Sequence, residues 1–146
     1  MFKKAVSILI FILSSVIGFS QNIDSLKLRD SEIPNGYKKV DKLLCKTPHA
    51  FSLYDQVDLF PFLGKVVKKD YQSFEKKGDK GTILYFEFEK PFEGQAFLDG
   101  LLYGEGGKPT KRESDEYVVL GNILIVWSFA IESEIKARSK EKVATF

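Results

Sequence analysis

The stretch that most constrains the fold is Tyr117–Phe129, in which two apolar runs flank Gly121-Asn122. Strand-like runs on either side of a Gly-Asn step read as a tight hairpin, because both central positions of such a turn favour φ > 0. A two-residue loop then sets the register. Leu120 lies opposite Ile123, Val118 opposite Ile125 and Glu116 opposite Trp127; on the other face Val119 meets Leu124 and Tyr117 meets Val126. Both faces are apolar, so the hairpin calls for a sheet covered on both sides near its turn.

The neighbouring runs supply the rest of a sheet and its cover. Thr82–Lys90 alternates, with Leu84, Phe86 and Phe88 on one face and Tyr85, Glu87 and Glu89 on the other; Pro91 stops it. Lys65–Lys77 is ambiguous by period, since Val67, Tyr71 and Phe74 have helical spacing. A strand is preferred, because it returns through the four-residue turn Gly78-Asp79-Lys80-Gly81 into its neighbour. Tyr37–Leu44 suits either a short strand or the start of a helix. Thr47-Pro48, or Ser52, opens a helix bearing Ala50, Leu53, Tyr54, Val57 and Phe60, ended by Pro61. Glu93–Tyr103 carries the stripe Phe97, Leu98, Leu101 and Leu102 before Gly104. Ser133 caps a last helix with a thin stripe of Ile131, Ile135, Val143 and Phe146, and with Glu132–Lys136 and Glu134–Arg138 spaced as ion pairs. This order predicts an α+β fold: a single domain over residues 37–146, with a mainly antiparallel sheet and two or three helices packed on one face. The expected core is Leu53, Val57, Phe60, Leu84, Phe86, Phe88, Phe97, Leu101, Val118, Leu120, Ile123, Ile125 and Trp127.

Residues 1–20 read as a secretory signal peptide. Lys3 and Lys4 precede the apolar run Ala5–Phe19, and Gly18 and Ser20 are the small residues before a cut at Gln21. An uncleaved anchor fits less well, because that run reaches about 22 Å as a helix against a hydrocarbon core of about 30 Å. The expected location is therefore periplasmic or secreted. Residues 21–36 are polar and read as a flexible lead-in, closed by the turn Pro34-Asn35-Gly36. Removing residues 1–20 takes two lysines and no acid from the 22 basic and 20 acidic side chains, which leaves a neutral chain. Overall charge gives no support to a nucleic-acid or anionic-membrane partner. No later run is long enough to span a membrane. Cys45 is the sole cysteine, so no internal disulfide forms and the fold rests on packing, for which 13 phenylalanines and a hydrophobic content of 44% provide.

The motifs that suggest chemistry are incomplete. Cys45-x-x-x-His49 has metal-ligand spacing, but no second Cys or His exists to complete a zinc site. Gly104-Glu-Gly-Gly-Lys-Pro-Thr departs from a phosphate loop, because Pro109 follows Lys108 and a helix precedes it. Glycine amides with Lys108, Lys111 and Arg112 still offer an anion or an acidic partner a place to bind. Ser133-x-x-Lys136 lacks the companion motifs of a serine nucleophile and reads as a helix cap. Glu87 and Glu89 stand about 7 Å apart on one strand face, a separation within the reach of glycosidase carboxylates. Solvated glutamates are the commoner meaning. If the outer sheet face is open, Tyr85, Glu87 and Glu89 are presented to a partner, with Tyr71, Tyr103 and Tyr117 near element ends.

The chain thus reads as an exported, non-catalytic module that binds a protein, a glycan or a small ligand, with no cofactor and no metal. The alternative is a small secreted hydrolase using carboxylates or a lysine on the sheet. Cover over Tyr85, Glu87 and Glu89 is the observation that bears most on that surface.

Overall fold

A computed structural model describes residues 22–104 and 115–146. In chain order the elements are α1 (Ile23–Leu26), β1 (Lys38–Val40), α2 (Pro48–Asp55), β2 (Val66–Lys76), β3 (Asp79–Phe88), α3 (Gln95–Tyr103), β4 (Asp115–Leu120), β5 (Ile123–Ser128) and α4 (Glu134–Val143). Short 3₁₀ turns lie at Asp30–Glu32, Val57–Leu59 and Pro61–Leu63. The five strands form one antiparallel sheet in the order β1-β2-β3-β5-β4. The fold is a single α+β domain.

The hairpin β4–β5 has all five expected pairings. Its turn differs in detail. Gly121 takes φ +63°, while Asn122 stays at negative φ, the pattern of a II′ rather than a I′ turn. The turn is fastened to the end of β3: Phe88 N–H donates to Asn122 O at 2.8 Å, and Asn122 Nδ2 to Phe88 O at 2.9 Å. β2 is a strand, but its turn into β3 is tighter than expected. Lys76 pairs Asp79, so only Lys77 and Gly78 lie between the strands. Tyr37–Leu44 resolves into the short strand β1.

β3 and β5 lie at the centre, which explains why β5 is buried along its whole length. Gly81 is needed there. A Cβ on it would lie 2.2 Å from Ser128 O and 2.6 Å from the Phe129 ring.

The helices, expected on one face, are divided between two. On the first face α1 and α4 cover Ile83, Tyr85, Ile123, Ile125 and Trp127. On the second, α2 and α3 cover Leu84, Phe86, Phe88, Leu124 and Val126. The first layer is a correction to the reading of residues 21–36 as a flexible lead-in. Ile23, Leu26 and Leu28 from that stretch are buried in the core. The side chain of Gln72 on β2 holds them there: its Oε1 accepts from Leu28 N–H and its Nε2 donates to Leu28 O, both at 2.9 Å. One amide side chain thus treats the incoming chain as a neighbouring strand would.

The second face also carries a polar row. Ser73, Thr82, Ser128 and Asp115 are cross-strand neighbours over four strands. The connection into α2 crosses that row and bonds three of its members, with Leu44 N–H donating to Thr82 Oγ1, Lys46 N–H to Ser128 Oγ and Thr47 Oγ1 to Asp115 Oδ2; Ser73 pairs with Thr82, and Asp115 Oδ1 has no partner among the described residues. Thr47 also caps α2, accepting from Ala50 N–H at 3.1 Å. On α3 the buried residues are Leu98 and Leu102, whereas Phe97 is exposed. Phe60, Leu101, Val118 and Leu120 are half-buried, and the other expected core residues are buried. On α4, Ile135 and Val143 are buried, but Ile131 and Phe146 are exposed. Its glutamate and lysine pair elsewhere than within the helix: Lys136 with Glu116, and Glu134 with Lys76.

Candidate functional site

The surface expected at Tyr85, Glu87 and Glu89 does not exist as a unit. Tyr85 is fully buried beneath α1 and α4, and its hydroxyl donates to Gln72 Oε1 at 2.8 Å. Burial pushes its phenol well above the ordinary tyrosine range. Glu87 is half-buried at the end of β3, and Glu89 lies beyond the strand in solvent. The signal for the missing cover is Ile23, Leu26 and Leu28, three large apolar residues within an otherwise polar stretch. Lys108, Lys111 and Arg112 lie outside the described residues.

Ser133, Lys136, Tyr103 and Tyr117 have structural partners. Cys45 is half-buried, and burial together with the Asp115 charge pushes its thiol up to about 11. Such a thiol is a poor nucleophile. His49 is exposed on α2. Ser133 caps α4 and donates to Asp79 Oδ2 at 2.7 Å. Lys136 is buried; its backbone N–H donates to Ser133 Oγ at 3.3 Å, while its Nζ donates to Glu116 Oε1 at 3.0 Å. Tyr117 donates to Asp99 Oδ1, and Tyr103 to Asp115 O at 3.1 Å, with their rings stacked 6.5 Å apart. Among the described residues no three His, Cys, Asp or Glu side chains gather as a metal site.

One of the clefts among the described residues is a groove between β4 and α4. Glu116, Val118 and Leu120 point from β4 to the same face as Trp127, and Lys140, Val143, Ala144 and Phe146 line the opposite wall. Its volume is about 430 Å³, within the ~300–1,000 Å³ usual for ligand sites. The floor is apolar. One end is charged, where Lys136 and Lys140 both donate to Glu116. Burial raises the Glu116 pKa, but these hydrogen bonds outweigh it and hold the carboxyl below its usual range. Two ammoniums on one carboxylate leave that end net positive.

The groove adjoins a strand edge that has no partner strand among the described residues. With a two-residue turn, Leu120, Val118 and Glu116 exchange backbone bonds with β5. Tyr117 and Val119 therefore direct N–H and C=O away from the sheet, and among the described residues no backbone group meets them.

A second apolar surface lies across the molecule, where Leu59 and Phe62 are exposed by 71% and 76%. Phe97 packs against Phe60 and Phe62 at ring separations of 5.9 and 5.7 Å. It is formed by the chain between α2 and β2 together with Phe97 of α3. No protein-family model, curated protein or solved structure matches the chain. Among the described residues no helix is long and apolar enough to cross a membrane.

Proposed function

We propose that this is an exported, non-catalytic binding module of the cell envelope or the extracellular space, and that it holds its partner in the groove between β4 and α4. The observation that carries this reading is the coincidence of an apolar floor, a charged end and an open strand edge at one place. The ionisable groups nearest the groove support binding over catalysis, since Glu116, Lys136 and Lys140 are engaged with one another. The signal-like residues 1–20 support export.

Ala144 is exposed at the end of α4, so Ala144→Trp fills the groove without entering the core. Envelope extracts passed over the wild-type protein and the variant should yield a partner retained by the first and absent from the second. An identical set on both would remove the groove from the function. Fractionation with N-terminal sequencing should find a processed chain beginning at Gln21 outside the cytoplasm; a cytoplasmic, full-length chain would end the export reading.

A further inference from the structure

We infer that the occupant of the groove is an extended peptide segment of another protein, added as a strand antiparallel to β4, with an acidic group at its C-terminal end. This rests on the groove being the binding site and names what it takes.

The backbone gives the first argument. Tyr117 and Val119 each offer one outward N–H and one outward C=O. An extended chain can pair with such a row in register, and strand addition is a recurring way to use it. The side chains give the second. A residue opposite Glu116, Val118 or Leu120 has its side chain on the groove face, and one opposite Tyr117 or Val119 has it on the far face. Every second side chain of the peptide therefore falls between β4 and α4, over Val118, Leu120 and Trp127 and against Val143 and Phe146. At about 3.4 Å per residue, Glu116 to Leu120 accommodates roughly five residues.

Charge gives the third argument and sets direction. An antiparallel peptide has its C-terminal end at Glu116, where Lys136 and Lys140 leave an excess positive charge. A carboxylate there is matched. A second copy of this chain fits less well. Its own β4 would bring Leu120 to that end, and its Glu116 is already held by its own lysines.

The test selects from a random octapeptide library with free C-termini, using the exported, processed protein as bait. Selected peptides should carry apolar residues at alternate positions and an acidic C-terminal end. N-methylation of the peptide then reads the geometry without altering the protein. Methylating the two residues opposite Tyr117 and Val119 should weaken binding at least tenfold, and methylating the residues between them should leave it within twofold. Amidating the C-terminus should weaken binding several-fold, and more so at low salt. Val119→Pro, which removes an outward N–H and spares the bonds to β5, should weaken binding like the methylated pair.

Failure to select any peptide, or equal effects from both methylation patterns, would overturn the inference. So would a dimer in sedimentation that Val119→Pro dissolves, which would give the edge to a second copy. The dye 1-anilinonaphthalene-8-sulfonate separates the two levels. Dye that binds wild type and is lost with Ala144→Trp, without any peptide, leaves the groove as a site and removes the peptide. Absence of both dye and peptide removes the site itself.

Discussion

The two edges of the sheet are built differently. At the β1–β2 edge, β1 pairs only Ser73–Glu75 of the longer β2, leaving Val66–Gln72 open. That open stretch is interrupted by an irregularity between Val66 and Lys68, and it presents Lys68 and Lys69, with Lys38 and Lys39 beside it. A short edge strand, a bulge and lysines are the means by which proteins deter unwanted pairing. At the other edge, β4 runs Tyr117-Val118-Val119-Leu120 without a charge or a bulge and pairs β5 in continuous register. One edge is guarded and the other is not. An unguarded apolar edge invites aggregation, and it is this edge that the partner proposed above would cover.

The largest perturbation would break both edges together. Gly81→Ala forces a Cβ into Ser128 and Phe129 between the two central strands. Overpacking of this kind costs ~1–3 kcal/mol or more, read as a lower urea midpoint. Hydrogen exchange should quicken at the sheet-bonded amides of Asp70 and Val118 alike; loosening confined to one edge would show that the edges do not share the β3–β5 support.

A loss of comparable size, but confined to the guarded side, should follow Gln72→Ala. It strands Leu28 N–H and C=O and the Tyr85 hydroxyl. Unpaired buried groups cost ~1–3 kcal/mol. Proteolysis should begin near residues 22–30, and unchanged resistance there would show that Gln72 does not hold the incoming chain.

At the β4 edge the expected effect is a pH dependence. The carboxyl of Glu116 is held below its unfolded range, because the hydrogen bonds from Lys140 and Lys136 overcome burial. Its contribution is present above an unfolded pKa of about 4.3 and is lost as pH falls through the lower folded value. Stability of the wild type should therefore drop on acidification below about pH 4. Glu116→Gln should flatten that segment of the profile, and parallel profiles would show that the lysines are not anchored there.

The smallest change in stability should come with the largest change in association. Lys68→Val with Lys69→Val gives the guarded edge the character of β4. Lys68 loses its exposed pair with Asp24, and Lys69 its bond to Tyr54 O. The double variant should self-associate with concentration in sedimentation while its thermal midpoint moves little. A persistent monomer would show that lysines are not what guards this edge.

Much of the β framework was legible from local pattern. The register of β4–β5 followed from Gly121-Asn122 and period-two alternation, and each expected pair is present. The capped starts of α2 and α4 at Thr47 and Ser133 were readable from residue type alone. The turn subtype was not, since Gly-Asn serves more than one. Phe97 and Leu98 lie side by side in a stripe, and only the rotation of α3 against the sheet buries Leu98 and leaves Phe97 outside. The expected binding face failed for a similar reason. Tyr85 shares its face with Glu87, so it read as polar, yet it lies under a helix of four residues. A single turn is too short to show a period. The groove itself combines β4 with the end of α4, which are joined only through β5 and the connection after it.

What the sequence alone determined is local: alternation, turn residues and caps act over two to four neighbours, and these set the strands and the central hairpin. What only the tertiary structure decided is which side of each element meets which distant one. Ile23, Leu26 and Leu28 reach β2 and β3 across more than forty positions, and Lys136 and Lys140 reach back to Glu116. Those meetings are fixed by shape and by hydrogen bonds to particular side chains such as Gln72. No spacing along the chain records them.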